Sequence, residues 1–235
     1  MARLVGIDFR ASHVRAVVLS TSYRRVAIER MLEVEIASPE DTEQALATCA
    51  LPLVQHSESV SVAMDGEQTF LHRLKLPSTA MKQLAEVIPF ELEAQVPVDF
   101  DELVFDYRVL RRSDGQAPVV VLAAAARIEH VRARIDQVMR VLGRPVSRWA
   151  RFRVSLANLA SVCPELAVPG PVALVDLGGK NSEVVVLAAG APVFARTLSR
   201  GVAGLPETAP ALASELRQTT AAFAAQGGEP LTQIY

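Results

Sequence analysis

The sequence has little cysteine and no arrangement of it that would crosslink the chain or hold a metal. Its 235 residues include two cysteines, Cys49 and Cys163, which lie far apart. No C-x-x-C or Cys/His ligand spacing is present, and this argues against a structural zinc site. Both cysteines are predicted to be reduced, part-buried apolar residues.

The sequence also lacks an excess of charge of either sign. Lys and Arg number 24 against 26 Asp and Glu, for a net charge of −2. A nucleic-acid-binding protein would usually show a basic stripe, and the sequence has none. Hydrophobic residues make up 50% and charged residues 21%, which is typical of a globular protein and gives a chain of this length enough core for two lobes.

Long hydrophobic runs are missing as well. The longest purely apolar run, residues 119–126, is far too short to span a bilayer. The chain opens on a strand-like segment and shows no signal peptide. We therefore expect a soluble protein from a reducing compartment.

Strand and helix patterns alternate along the chain, which predicts an α/β fold. Residues 3–9, 14–19 and 26–36 read as a hairpin followed by a third strand. The continuous apolar run at 119–126 suits a central strand buried on both faces. Two helices show apolar stripes at helical spacing, and Pro89 is expected to kink or restart the first. The stripe residues are Met81, Leu84, Ile88 and Leu92 in one helix and Ile128, Val131, Ile135, Val138 and Leu142 in the other.

One pattern occurs twice. A strand that ends in Asp, a short turn, a second strand and a third strand appear at residues 4–36 and again at 172–198. This internal similarity predicts two related lobes, each opening with an Asp-capped hairpin.

Such a hairpin has the composition of a phosphate site. Glycine allows positive φ and close backbone approach, so that successive N–H groups can point at an anion, while the Asp orders a magnesium ion. The second hairpin has this chemistry. Its candidate residues are Asp176, Gly178, Gly179, Lys180 and Ser182.

The first hairpin departs from that composition. Its candidate residues are Asp8, Ser12 and Arg15, but Arg10 stands where a glycine is wanted. A non-glycine residue in a left-handed turn costs roughly 1–2 kcal/mol. Two interpretations stay open: Arg10 or Arg15 contacts a phosphate directly, or the aspartates only end strands and accept from turn N–H groups.

No catalytic or metal constellation competes with these hairpins. The four histidines, His13, His56, His72 and His130, are scattered. Neither a G-x-S-x-G elbow nor a P-loop is present. We therefore predict no catalytic residue and no metal ligand set.

Three stretches resemble a known superfamily. They are LVGIDFRASHVRAVVL at residues 4–19, IPFELEAQVPVDFDELVFDYRVL at 88–110, and VALVDLGGKNSEVVVL at 172–187 followed by ARTLSRG. They are similar to the actin-like ATPase superfamily and, within it, to the GspL/PilM branch of type II secretion and type IV pilus proteins, which is related to FtsA. The choice between GspL and PilM stays open.

The resemblance implies an actin-like (ribonuclease H-like) two-lobed α/β fold with an FtsA-like inserted α+β subdomain. A Pro/Gly cluster at residues 164–171 marks the expected boundary between lobes. The family's adenosine-binding glycine pair does not occur before Tyr235, so the chain would carry at most the phosphate half of a nucleotide site. The expected domains are residues 1–66 with 146–170 as the first lobe, 67–145 as the inserted subdomain and 171–235 as a truncated second lobe.

The resemblance also implies a function. GspL-like members are degenerate, and their cytoplasmic domain docks the secretion ATPase GspE; the loss of glycine at Arg10 favours this reading. The leading hypothesis is thus a non-enzymatic adaptor at the cytoplasmic face of a bacterial inner membrane, with no cofactor. Its expected partners are a GspE-like ATPase, platform proteins of the GspM, GspF or PilN kind and a second copy of the chain, but no nucleic acid. The alternative is a PilM-like switch that binds ATP with magnesium and a membrane partner's N-terminal tail.

The segment between Phe90 and Tyr107 mixes apolar residues with acids. Its acidic residues include Glu91, Glu93, Asp99, Asp101 and Glu102. This segment either docks a basic helix or tail, or packs its apolar residues inward and leaves its acids solvated.

Overall fold

A computed structural model of the chain divides into two compact units. The first comprises Met1–Gln68 and Ile128–Phe152, and the second comprises Thr69–Arg127 and Arg153–Tyr235. Strands and helices alternate in both, which confirms the predicted α/β class. The structure describes residues 2–10, 12–23, 25–64, 66–112, 115–145, 148–151, 155–166 and 168–235.

The elements follow the sequence patterns closely. The strands are β1 (Ala2–Phe9), β2 (His13–Ser22), β3 (Arg25–Glu35), β4 (Ser59–Met64), β5 (Thr69–Leu76), β6 (Leu103–Arg111), β7 (Val119–Arg127), β8 (Arg148–Arg151), β9 (Val172–Leu177), β10 (Ser182–Ala188), β11 (Ala191–Leu198) and β12 (Gln233–Ile234). The helices are α1 (Thr42–Val54), α2 (Leu84–Glu93), α3 (Ile128–Leu142) and α4 (Ala209–Ala225). Within the described ranges, no helix combines the length and apolar character that a membrane crossing needs.

The first unit is a five-stranded sheet in the order β3-β2-β1-β4-β8. The predicted hairpin and third strand are confirmed, since β2 pairs antiparallel with both β1 and β3. Strand β4 lies parallel to β1, and β8 lies parallel to β4. We did not predict β8, because four residues that include two arginines show no apolar alternation.

Helices α1 and α3 cover this sheet. Leu46 and Cys49 of α1 and Val138 of α3 are fully buried in one core with the strands. The apolar stripe of α3 therefore packs in the first unit, although residues 67–145 were expected to form an inserted subdomain. The predicted domain boundaries themselves stay a prediction.

In the second unit, a three-stranded sheet in the order β5-β7-β6 packs against α2. Residues 119–126 of the central strand β7 are all buried, as their continuous apolar run predicted. Ile88 and Leu92 of α2 are fully buried against one face of this sheet. The apolar stripe of α2 is thus core.

Pro89 does not restart α2, which was one of the two outcomes expected for it. The helix runs unbroken through Pro89, and the break falls at Gln83, whose φ and ψ are −131° and 29°. A 3₁₀ helix at Ser78–Lys82 precedes that break. Pro89 is the sixth residue of α2 and has no N–H to donate to the residue four positions earlier, so the helix continues with one missing hydrogen bond.

The second unit also contains a four-stranded sheet in the order β11-β10-β9-β12. This order repeats β3-β2-β1-β4 of the first unit, with two antiparallel pairs and then one parallel pair. In each case one α-helix, α1 or α4, connects the third strand to the fourth. The internal similarity predicted from the sequence is confirmed and extends over four strands and a helix.

We predict that Arg144 stabilises the first unit by capping α1. Its Nη1 donates to Val54 O at 2.7 Å and to Ser57 O at 3.1 Å, at the negative end of the helix. The substitution Arg144→Met should lower the free energy of unfolding by about 1–3 kcal/mol. Ser57 O loses its charged donor, and Val54 O keeps only the hydrogen bonds from the Ser57 N–H and hydroxyl. Urea unfolding followed by circular dichroism measures this change.

Arg140→Met is the matched control. Arg140 pairs with Glu43 at 2.7 Å, and both side chains are largely exposed. Exposed pairs contribute at most about 1 kcal/mol. An Arg140→Met variant that loses as much stability as Arg144→Met would contradict the capping role.

Candidate functional site: two hairpin turns

The first hairpin turn joins β1 to β2. Of the predicted residues, Ser12 lies in the turn, and Asp8 and Arg15 lie on the strands beside it. Asp8 is the last residue but one of β1 and lies opposite Arg15 in the register. The Arg10 N–H donates to His13 O at 2.8 Å and closes the turn. Ala11 lies outside the described residues.

Asp8 is paired with the arginine that replaces the expected glycine. Arg10 Nε donates to Asp8 Oδ2 at 3.0 Å, and the two side chains are 20% and 23% exposed. A charge-assisted hydrogen bond in this partly buried position is stronger than one in open solvent. The carboxylate that would attract magnesium therefore has its charge balanced by the chain itself.

The other two candidates in this turn also bind neighbouring side chains. Arg15 donates to both carboxylate oxygens of Glu33 on β3, at 2.9 and 3.2 Å. This hydrogen bond is the main reason that the pKa of Arg15 is raised and the pKa of Glu33 is lowered. Ser12 Oγ and His13 Nδ1 share a hydrogen bond of 2.8 Å. The structure thus brings the three predicted residues to one turn, but it supplies each with a protein partner.

The second hairpin turn joins β9 to β10. Asp176 is again the last residue but one of its first strand, and it is half-buried. Gly179 and Lys180 at the tip are exposed, whereas Gly178 is buried. Ser182 is completely buried.

The backbone after β11 lies directly on this turn. Val202 N–H donates to Gly178 O and Ala203 N–H donates to Gly179 O, both at 2.8 Å. The hydroxyl of Ser182 donates to Arg200 O, also at 2.8 Å. Ser182 therefore anchors this loop, although the sequence suggested a phosphate contact for it.

Glycine is needed at position 201 because the backbone there lies directly against the turn. The turn glycines themselves do not adopt a left-handed conformation. Gly178 and Gly179 do not belong to the glycines with positive φ. A Cβ at Gly201 would overlap the Gly178 carbonyl oxygen and come within 2.5 Å of Gly179 O. The close backbone approach predicted for a phosphate is thus made by the chain's own residues 200–203.

A glutamate on α4 fixes the same loop. Glu215 accepts from the Ser199 N–H at 2.8 Å and from Ser199 Oγ at 2.7 Å. These hydrogen bonds, with the Ser199 hydroxyl first, lower the pKa of Glu215. Arg200 Nε lies 3.3 Å from the same carboxylate. The loop is therefore tied to both the turn and the helix.

Sequence reasoning missed Glu183, which is 5% exposed and lies opposite Asp176 in the register. Thr197 Oγ1 is 3.0 Å from each carboxylate oxygen of Glu183. Directly opposed residues on neighbouring antiparallel strands have Cβ atoms about 5 Å apart, so Glu183 and Asp176 lie side by side on one sheet face. The signal was available, because Glu183 is the single charged residue in the otherwise apolar run of β10.

The residues available for a metal are limited. In the part of the chain that the structure describes, no group of three His, Cys, Asp or Glu side chains lies close enough to hold an ion. Magnesium would have to bind through water and one or two carboxylates, as it commonly does beside phosphates. The carboxylates near the two turns already have protein partners: Asp8 binds Arg10, and Glu183 binds Thr197.

Comparison with known proteins gives a family and a fold. Residues 6–208 match the family model described as type IV pilus assembly protein PilM. None of the curated proteins matches the sequence.

Several solved structures share the fold. A chain of the PilM-PilN type IV pilus biogenesis complex superimposes with a TM-score of 0.70 at 21% identity, covering 91% of this chain and 66% of that one. The cytoplasmic domain of EpsL, an inner membrane component of the type II secretion system of Vibrio cholerae, gives 0.57 at 18% identity, covering 84% and 71%. A Bacteroides thetaiotaomicron protein with an actin-like ATPase fold gives 0.55 at 7% identity, covering 97% and 78%. The actin-like fold is thus confirmed, and this chain spans just under two thirds of the PilM-PilN chain.

We predict that Gly201 is essential for the closed second turn. The substitution Gly201→Ala should lower the free energy of unfolding by about 2 kcal/mol or more, because the methyl group would overlap backbone that cannot rotate away. Thermal unfolding of the purified variants measures this effect.

Gly179→Ala serves as the control, since a Cβ there meets no atom within 4 Å. Its melting temperature should stay close to that of the unmodified protein. Equal destabilisation by both substitutions would show that the turn, and not the contact with Gly201, is sensitive to a side chain.

Proposed function

The chain belongs to the PilM family of type IV pilus assembly proteins, and on that basis we propose that it is a non-enzymatic adaptor at the cytoplasmic face of a bacterial inner membrane. It binds the cytoplasmic segment of a PilN-like platform protein and recruits a GspE-like assembly ATPase. The same role would serve a type II secretion platform. It does not depend on nucleotide hydrolysis by this chain.

The pairing of Asp8 with Arg10 carries this proposal. A nucleotide site of this composition needs an Asp that remains available to hydrated magnesium. Arg10 donates to that carboxylate at 3.0 Å within the same turn. Displacing the pair would cost a charge-assisted hydrogen bond before any magnesium contact formed.

The related structures support a role in assembly. One belongs to a complex of PilM with PilN, and another is described as the cytoplasmic domain of an inner membrane component. By analogy, this chain would bind a membrane protein from the cytoplasmic side. Since fold alone does not fix function, the contact surface has to come from the chain's own residues.

An exposed aromatic side chain on α2 offers such a surface. Phe90 is 74% exposed, whereas Ile88 and Leu92 of the same helix are fully buried. Exposed aromatic residues are enriched in protein interfaces. Residues 83–107 contain seven acidic residues and no Lys, Arg or His. We therefore propose that Phe90 and its acidic surroundings bind a basic, partly apolar segment of the membrane partner.

A nucleotide-binding switch is the second candidate function. At the second hairpin, Gly179 and Lys180 are exposed, so a phosphate could approach the tip of this turn. In that case ATP with magnesium would alter the affinity for the membrane partner. Asp176 and Lys180 would then be the residues to substitute first.

Titration with the cytoplasmic segment of a PilN-like protein from the same genome tests the adaptor proposal. Isothermal titration should show binding at about micromolar affinity that is the same with and without ATP and magnesium. Binding only in the presence of ATP would favour the switch. The absence of binding to the folded protein would contradict both.

Two variants locate the surface. Phe90→Ser should weaken the interaction about tenfold or more if this aromatic side chain is an anchor. Met139→Ser is the control, because Met139 is a 46% exposed apolar residue on another helix. Equal effects of the two variants would exclude the surface around Phe90 without excluding the adaptor role.

A further inference from the structure

The second unit contains a cavity that shares no residue with either hairpin turn. It has a volume of about 260 Å³ and lies where β5, β7, β11 and the end of α4 meet. Strands β5 and β11 are edge strands of their respective sheets and contact each other. The polar lining consists of Arg73, Arg196 and Gln226, and the apolar lining includes Leu71, Leu122 and Phe194.

Arg73, which lines the cavity, has a side-chain nitrogen without a hydrogen-bond partner. Its Nε is buried and makes no hydrogen bond. A buried donor left unsatisfied carries its full desolvation penalty, and the penalty is larger for a charged group. Native proteins rarely retain such a group. A rotation of the guanidinium toward the cavity would let an acceptor bound there satisfy it.

The charges around the cavity also favour the binding of an anion. Arg73 comes from β5 and Arg196 from β11, and none of the residues that line the cavity is acidic. Two guanidinium groups of like charge repel each other unless an anion lies between them. Each presents a planar fork of N–H donors that matches phosphate and carboxylate oxygens.

Neighbouring groups offset only part of the positive charge of Arg73 and Arg196. The negative end of α4 is equivalent to about half an elementary charge, against two full positive charges. Its last carbonyls already accept from the chain, since Gln226 N–H donates to Ala222 O and Gly228 N–H donates to Phe223 O. Glu215 lowers the positive potential near Arg196, but its oxygens are bound by Ser199 and Arg200.

We propose that this cavity binds a small organic anion. Arg73 and Arg196 bind its phosphate or carboxylate head, and Gln226 adds a further polar contact at the rim. A short apolar body packs against Leu71, Leu122 and Phe194. The volume is below the roughly 300–1,000 Å³ of typical ligand pockets, so the ligand is smaller than a nucleotide.

Phenyl phosphate and benzoate are the probes that test this inference, with benzyl alcohol as the neutral control. Binding is followed by ¹H–¹⁵N chemical shifts of the folded protein. Both anions should shift the amides of β5 and β11 with dissociation constants of about 1 mM or below, and benzyl alcohol should not. Stronger binding of phenyl phosphate would identify a phosphate ligand, and stronger binding of benzoate a carboxylate.

Substitutions distinguish a built site from general attraction. Arg73→Gln should weaken binding of the preferred anion about tenfold, while Arg73→Lys should retain more of it. Arg108→Gln is the matched control: both arginines lie opposite Leu122 in the register, on the same sheet face, but Arg108 does not line the cavity. It should change the affinity less than about twofold.

Three results would overturn the inference. The first is no shift with either anion at about 10 mM while the amide spectrum shows a folded protein. The second is equal binding of benzyl alcohol, which would mean an apolar cavity without anion recognition. The third is an equal loss of affinity in Arg73→Gln and Arg108→Gln, which would mean long-range charge alone.

Discussion

The ion pair between Asp8 and Arg10 determines what the first hairpin can bind. The two residues are separated by a single position, so the pair forms from local geometry and has a small entropic cost of closure. It is partly buried, where solvent screening is weaker than at the surface. A carboxylate whose charge is balanced in this way attracts a hydrated cation less strongly than an unpaired one. The adaptor function proposed for this chain therefore requires that Arg10, and not a hydrated cation, binds the Asp8 carboxylate.

The second hairpin turn is also occupied by groups of the chain, in this case by packed backbone. Residues 200–203 donate their N–H groups to the carbonyls of Gly178 and Gly179, and Gly201 has no side chain because none would fit. Glu215 holds the preceding Ser199 and thereby links the turn to α4. In both turns, polar groups that the sequence suggested for phosphate binding form hydrogen bonds with other groups of the chain. The actin-like fold is thus retained in a chain whose two hairpin turns are largely closed by its own groups.

Much of this fold could be predicted, since hydrophobic periodicity reflects burial directly. The continuous apolar run of β7 and the repeated strand pattern correctly predicted a central strand and two related sheets. Strand β8 was missed because its pairing is set by β4 and not by its own composition. Pro89 does not restart the helix, because the burial of Ile88 and Leu92 on the same helix offsets one missing hydrogen bond, and such packing is not visible in a rule about single residues. The hydrogen bond of Ser182 could not be predicted for a comparable reason: its partner, Arg200 O, lies 18 residues away, and no local pattern encodes that contact.

The position of the candidate site could be predicted from the sequence, but the hydrogen-bond partners of its residues could not. The sequence located Asp8 and Asp176 at the ends of corresponding strands, which the structure confirms. Whether each carboxylate is available depends on rotamers and loop contacts, and these appear only in three dimensions. The most direct measurement is isothermal titration of the folded protein with ATP and magnesium, beside a titration without the metal. We expect no binding in either titration, whereas micromolar binding of ATP that is lost in an Asp8→Asn variant would contradict the closed state of the first turn.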